Sequence, residues 1–86
     1  MSTTETLIET HTEEHTGYVV KRYLIELDST SSHTLDDTSW ADVVDISSFE
    51  NGTDTSNAAY WDGSDVKLTG FTSGADVHLT VRGRVS

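Results

Sequence analysis

Across residues 77–85 apolar and polar side chains alternate. Val77, Leu79, Val81 and Val85 fall on one side; His78, Thr80, Arg82 and Arg84 fall on the other. A period of two is the pleat of a β-strand and not the 3.6-residue repeat of a helix. The run therefore predicts a half-buried strand. Gly83 interrupts the apolar row, which marks a bulge or a close approach by another backbone. Upstream, "DVKLTGF" (65–71) turns Val66 and Leu68 inward and "TSGA" (72–75) supplies a turn, so 65–85 predicts a hairpin. "NAAYWDGSDV" adds a short strand at 58–61, closed by the Asp62-Gly63 pair favoured in tight hairpin turns. Residues 58–85 thus predict a three-stranded meander.

A second strong strand is "GYVVKRYLIEL" (17–27), rich in β-branched and aromatic residues. Val19, Tyr23, Ile25 and Leu27 share one side, and Tyr18, Val20 and Leu24 the other. Apolar groups on both faces predict a central or doubly covered strand. Before it, the Thr-rich segment 4–14 offers only Leu7 and Ile8 as large apolar groups, adjacent and so pointing opposite ways. That stretch predicts either the first strand of a long hairpin or an arm that orders on a partner. Residues 31–39 form a loop. "SWADVVDI" (39–46) is ambiguous: Trp40, Val43 and Val44 suit a helical face, while Trp40, Val44 and Ile46 suit a strand. The strand is favoured, alone or after one helical turn. "FENGTDTSN" (49–57) predicts a polar loop with an Asn-Gly turn. The expected fold is all-β: a small antiparallel β-sandwich or partly open barrel of five to six strands. Residues 1–16 are an extended N-terminal arm or first hairpin strand, and 17–86 a single β-domain.

Such a domain is short of interior. At 86 residues it buries only roughly 60–65% of its unfolded surface. It has no cysteine for disulfides or thiolate metal sites. Small domains without such staples often gain stability by assembly. The net charge of −10, from fifteen acidic and five basic residues, adds self-repulsion. Seven aromatics and seventeen Val, Ile and Leu residues in regular clusters argue against disorder. A salt-rich solvent resolves the conflict, because at about 1 M salt charges are screened within about 3 Å. Acidic side chains in excess, two lysines and much Thr and Ser fit a halophilic source.

The composition also disfavours several functions. An acidic chain is repelled by bare nucleic acid and anionic membranes. No stretch approaches the roughly 20 apolar residues of a membrane helix. "MSTTETLIETHTEEHT" lacks the basic and apolar regions of a signal peptide, which points to a soluble product made in the cytoplasm. His11 and His15, with Glu9 and Glu13, are four residues apart, but no local third and fourth zinc ligands accompany them. The 50–65 loop, with Glu50, Asn51, Asp54, Asn57, Asp62 and Asp65 as oxygen donors for calcium, lacks EF-hand spacing and reads as turn chemistry. Asn51-Gly52-Thr53 matches the glycosylation sequon, a pattern common by chance. There is no nucleophile-elbow or phosphate-loop motif, so neither an enzyme nor a cofactor is expected. The aromatics Trp40, Trp61, Tyr60, Phe49 and Phe71 read as core before they read as a ligand cleft.

One asymmetry points to function. Residues 1–66 carry a charge of −12 and residues 67–86 a charge of +2, with Lys67, Arg82 and Arg84 in the last twenty positions. If 65–85 is a hairpin, these cations form a stripe across it. The stripe either pairs with acids of the same domain, such as Glu26 or Asp28, or docks on an acidic partner through the planar arginine fork. At high salt apolar contact must accompany the charges. Leu7, Ile8 and the edge of the last strand could provide it by strand addition.

In size, β-richness, Thr/Ser content, acidity and lack of Cys and Pro, the chain resembles the small accessory structural proteins of tailed viruses, especially those of haloarchaea. The resemblance implies a virion structural protein made in the host cytoplasm, most readily a capsid decoration or stabilising protein. Its partners would be the major capsid protein or another virion protein, and copies of itself in a homo-oligomer, a trimer first. A tail or head–tail joining protein is the neighbouring possibility. A cellular carbohydrate-binding or regulatory β-module of a halophile is the alternative of a different class. The partner-binding residues would be Leu7, Ile8, Lys67, Arg82 and Arg84.

Overall fold

The computed structural model describes residues 3–51 and 58–86. Among them the chain forms seven strands: β1 (Thr4–Thr12), β2 (Val19–Glu26), β3 (His33–Thr34), β4 (Trp40–Asn51), β5 (Ala58–Trp61), β6 (Val66–Thr69) and β7 (Asp76–Val85). They build two antiparallel sheets, one of four strands in the order β1-β2-β7-β4 and one of three in the order β3-β6-β5. The all-β, sandwich-like fold expected from periodicity is observed, with seven strands where five to six were expected; the extra β3 lies within the 31–39 stretch expected as a loop. No helix among the described residues is long and apolar enough to cross a membrane.

The core lies between the sheets. β2 contributes Tyr23 and Ile25, followed by Leu27; β7 contributes Val77, Leu79 and Val81; β6 contributes Val66 and Leu68. Leu35, Trp40 and Phe71 complete the buried cluster, with Val43, Ile46, Ala59 and Trp61 packed against it. Alternate residues are buried at Tyr23 and Ile25 of β2 and from Val77 to Gly83 of β7, as the pleat requires.

The predicted 65–85 hairpin does not form. β6 lies in the three-stranded sheet and β7 in the four-stranded sheet. Val66 and Leu68 face Val77, Leu79 and Val81 across the core instead of standing beside them. Alternation reports which face of a strand is buried and not which neighbour it bonds to. Residues 70–75 carry the chain from one sheet to the other, held by Phe71 N–H donating to the Ser31 carbonyl and Leu27 N–H donating to that of Ala75. The meander is therefore confined to the β5–β6 hairpin, where Asp62 Oδ1 accepts from the N–H groups of Ser64 and Asp65.

Segment 4–12 pairs along β2, so the N-terminal stretch is the first strand of a hairpin. Its turn is closed by Gly17 N–H donating to the Glu13 carbonyl, with Gly17 at φ 73°. The register shifts between Leu7 and Glu9, leaving Ile8 as a bulge.

The ambiguous 39–46 stretch is all strand. β4 departs from regular register between Trp40 and Asp42 and again between Val43 and Asp45, leaving Ala41 and Val44 as extra residues. These bulges place Trp40, Val43 and Ile46 on the core side at a spacing of three, which is what made the run resemble a helix. Val44 is thrown out to solvent. β4 crosses β7 so closely here that a Cβ on Gly83 would overlap the Asp42 carbonyl oxygen and lie 2.8 Å from Val43 Cα. The interruption at Gly83 is a close backbone approach, and the bulges belong to its neighbour. β4 runs on to Asn51, through the start of the stretch expected as loop. The Asn-Gly turn, the rest of the sequon and Asp54 and Asn57 of the acidic loop lie outside the described residues.

Candidate docking interface

The four-stranded sheet covers the core with one face and shows the other to solvent. On that outer face β7 places Arg82 and Arg84 opposite Asp45 and Asp42 of β4. Tyr18, just before β2, lies beneath both arginines: their guanidinium carbons are 4.8 and 5.2 Å from its ring centroid. Arg82 spends its fork internally. Its Nε and Nη2 donate to the two carboxylate oxygens of Glu13 at 2.8 and 2.9 Å. That pairing, with a hydrogen bond from Thr16, holds the Glu13 carboxyl at about 2. Arg84 differs. It is exposed, stacked on Tyr18, and has no carboxylate partner among the described residues.

The expected cationic stripe is not assembled. Lys67 lies on the other sheet, where Asp62 accepts its ammonium at 2.9 Å. The Asp62 carboxyl is driven well below the usual range by backbone N–H donation from Asp65 and by Lys67, and Lys67 is raised in turn. The stripe depended on β6 and β7 being neighbours. Arg82 and Lys67 do pair within the domain, but with Glu13 and Asp62, not with Glu26 or Asp28.

Leu7 and Ile8 lie on β1, at the free edge of the four-stranded sheet, 50% and 47% exposed. Leu7 pairs with Tyr23 in register and faces the core side, yet the two-residue β3 is too short to cover it. Of the six exposed large apolar residues described, five belong to this sheet: Leu7, Ile8, Val44, Phe49 and Val85. Only Tyr60 belongs to the other. Phe49 is the most exposed, at 67%, and leans on His78 with ring centroids 6.4 Å apart.

β1 itself buries no apolar side chain; eight of its nine residues are exposed. Charge anchors it instead. Glu5 reaches across to the opposite sheet, where its carboxylate accepts from His33 Nε2 at 2.9 Å and from the N–H groups of Asp36 and Asp37 at 2.7 and 3.1 Å. Glu5, His33 and Asp36 bring one ligand atom each within 4.8 Å. The Glu5 oxygens are already engaged by His33 Nε2 and by the Asp36 and Asp37 N–H groups. The arrangement is an inter-sheet clasp. His11 and His15 are both exposed.

A second polar cluster sits at the end of the core. Lys21 points inward beside Val81 and donates to Asp37 at 3.0 Å and Ser39 at 2.9 Å, its ammonium 5.4 Å from the Trp40 ring centroid. Tyr23 donates its hydroxyl to Asp37 at 2.7 Å and accepts from Trp40 Nε1 at 3.1 Å. Burial opposes the Asp37 charge, but hydrogen bonds from Ser39, Tyr23 and Lys21 outweigh it and hold the carboxyl well below its usual value. Burial and donation to Asp37 push the Tyr23 phenol up. Nothing in the sequence pattern marked these roles of Glu5, Lys21 and Asp37. The one available signal was a lysine on the core-facing side of a strand.

Among the described residues there is an open groove of about 380 Å³, lined by Ser32, His33, Thr34, Lys67, Leu68 and Thr69. It is polar-walled, and its cation is already paired. Comparison with known proteins finds no matching family model, no matching curated protein and no matching solved structure.

Proposed function

We propose that the chain is a structural subunit of a virion, a decoration or stabilising protein that bridges capsid subunits. A tail or head–tail joining role would use the same surface. One observation carries this reading: four of the six exposed large apolar residues described, Leu7, Ile8, Val44 and Phe49, lie on the two edge strands of the four-stranded sheet. Free sheet edges invite strand addition, and exposed apolar groups supply the burial that bare charge pairs lack at high salt. Arg84, over the Tyr18 ring and free of carboxylates among the described residues, is a pre-positioned cation for an acidic partner surface. The partner-contacting set is then Leu7, Ile8 and Arg84, with Phe49 added. Lys67 and Arg82 act within the domain.

A sugar-binding module would present an aromatic platform. Trp40 is buried, Trp61 packs against the core, and Phe49 and Tyr60 belong to different sheets. The test is quantitative mass spectrometry of purified virions and of the host proteome. A virion component is expected at stoichiometric copy number in particles; a low-copy cellular protein absent from particles would overturn the assignment.

A further inference from the structure

We infer that two copies of this chain associate through β1, antiparallel about a two-fold axis, joining their four-stranded sheets into one. The inference deepens the reading of the chain as an assembly subunit and rests on it. β1 is an edge strand whose two large apolar groups, Leu7 and Ile8, stand adjacent and half-exposed at its middle. β4, the other edge, is broken by two bulges, a common way of blunting an edge against pairing.

The single bulge of β1 selects the register. Partners facing each other across a sheet must lie on the same face. Before the bulge Thr4 and Thr6 lie on the outer face and Glu5 and Leu7 on the core side. After it Glu9 and His11 are outer, and Thr10 and Thr12 are on the core side. In a two-fold pairing that sets Leu7 against Ile8 of the second copy, Thr6 meets Glu9, Glu5 meets Thr10 and Thr4 meets His11. Each flanking pair shares a face. No acid opposes an acid, although β1 carries two glutamates and the chain a charge of −10. Sliding by one pair would set Ile8 opposite Glu9 and Leu7 opposite Thr10, so the apolar match picks out the first register. The axis falls between Leu7 and Ile8, and such a contact is closed and isologous. The edge chemistry thus favours a two-fold unit over the trimer expected from sequence alone.

The chain has no cysteine, which makes the register directly testable. Light scattering on the full chain at molar salt is expected to report a dimer. Ile8→Lys should weaken it on the order of a hundredfold, because each dimer loses two buried isoleucines, while circular dichroism stays unchanged, since Ile8 is half-exposed. Mixed Thr6→Cys and Glu9→Cys chains should form a disulfide-linked heterodimer on oxidation, and neither variant should link efficiently to itself. A monomer at every concentration, or an oligomer in which the mixed cysteines fail to link, would overturn the pairing. Either result leaves the virion assignment to be decided by copy number in particles.

Discussion

Arg82 and Glu13, 69 positions apart in the chain, are joined by a two-pronged ion pair. It ties the β1–β2 turn to the end of β7, and Tyr18 underlies the guanidinium. The pair fixes the far end of β1 while the Glu5 clasp fixes the near end.

Folding lowers the Glu13 pKa from 4.5 to about 2, chiefly through Arg82. A carboxyl depressed in the folded state stabilises it fully above the unfolded value and loses that effect as pH falls through the folded one. Glu13→Gln should therefore lower the urea midpoint at pH 6. The gap from wild type should close as pH drops from about 4.5 to about 2. A constant gap across that window would show that the ionised pair contributes nothing.

Arg84→Glu should shift the thermal midpoint of the isolated domain by no more than about 2–4 °C, because a change within about ±0.5 kcal/mol is usual for an exposed, unpaired surface residue. It should still weaken attachment to an acidic partner, measured by co-sedimentation with stripped particles. Arg82→Glu should do the reverse first, loosening the β1–β2 turn by setting a carboxylate against Glu13. Equal effects of the two substitutions on stability would contradict the division of labour between them.

Gly83→Ala should be among the most damaging single-methyl changes in the protein. The added Cβ has no room against the Asp42 and Val43 backbone, and relief requires moving β4. A loss on the order of 3 kcal/mol is expected from overpacking of this kind, read from chemical denaturation. Alanine at Gly63, where no atom lies within 4 Å of the added carbon, meets only backbone strain at φ 101° and should cost less.

Lys21→Met should cost about 2–3 kcal/mol, since it strands the Asp37 carboxylate in a partly buried setting. Adding Asp37→Leu should recover part of the loss by removing the stranded charge. A double variant no better than the single would mean that Asp37 matters through Ser39 and Tyr23 rather than through Lys21.

Glu5→Ala should speed hydrogen exchange in β1 more than anywhere else. The N–H groups of Asp36 and Asp37 lose their acceptor and β1 loses its one inward anchor. A loss of about 1.4 kcal/mol corresponds to tenfold faster local opening. Uniform acceleration over the whole chain would instead mark Glu5 as part of the global core.

The strands were legible because burial on one face writes itself into alternation, as in Val77, Leu79 and Val81. Their partners were not, because Val66 and Val77 carry the same pattern whether they stand side by side or face to face. The bulges at Ala41 and Val44 turned a period of two into one of three and so imitated a helix. The terminal arginines stand out against an acidic chain. Which of them was spoken for depended on Glu13, 69 residues away, and no local pattern carries that information. Glu5 and Lys21 were hidden for the same reason: a charged residue on a strand looks solvated until the opposite sheet supplies its partner.

β3 is only two residues long, so the wider sheet overhangs the narrower one along β1. Leu7 and Ile8, half-exposed at that eave, can be exchanged without disturbing the interior. The protein can therefore change what it grips at that margin while its packed core stays the same.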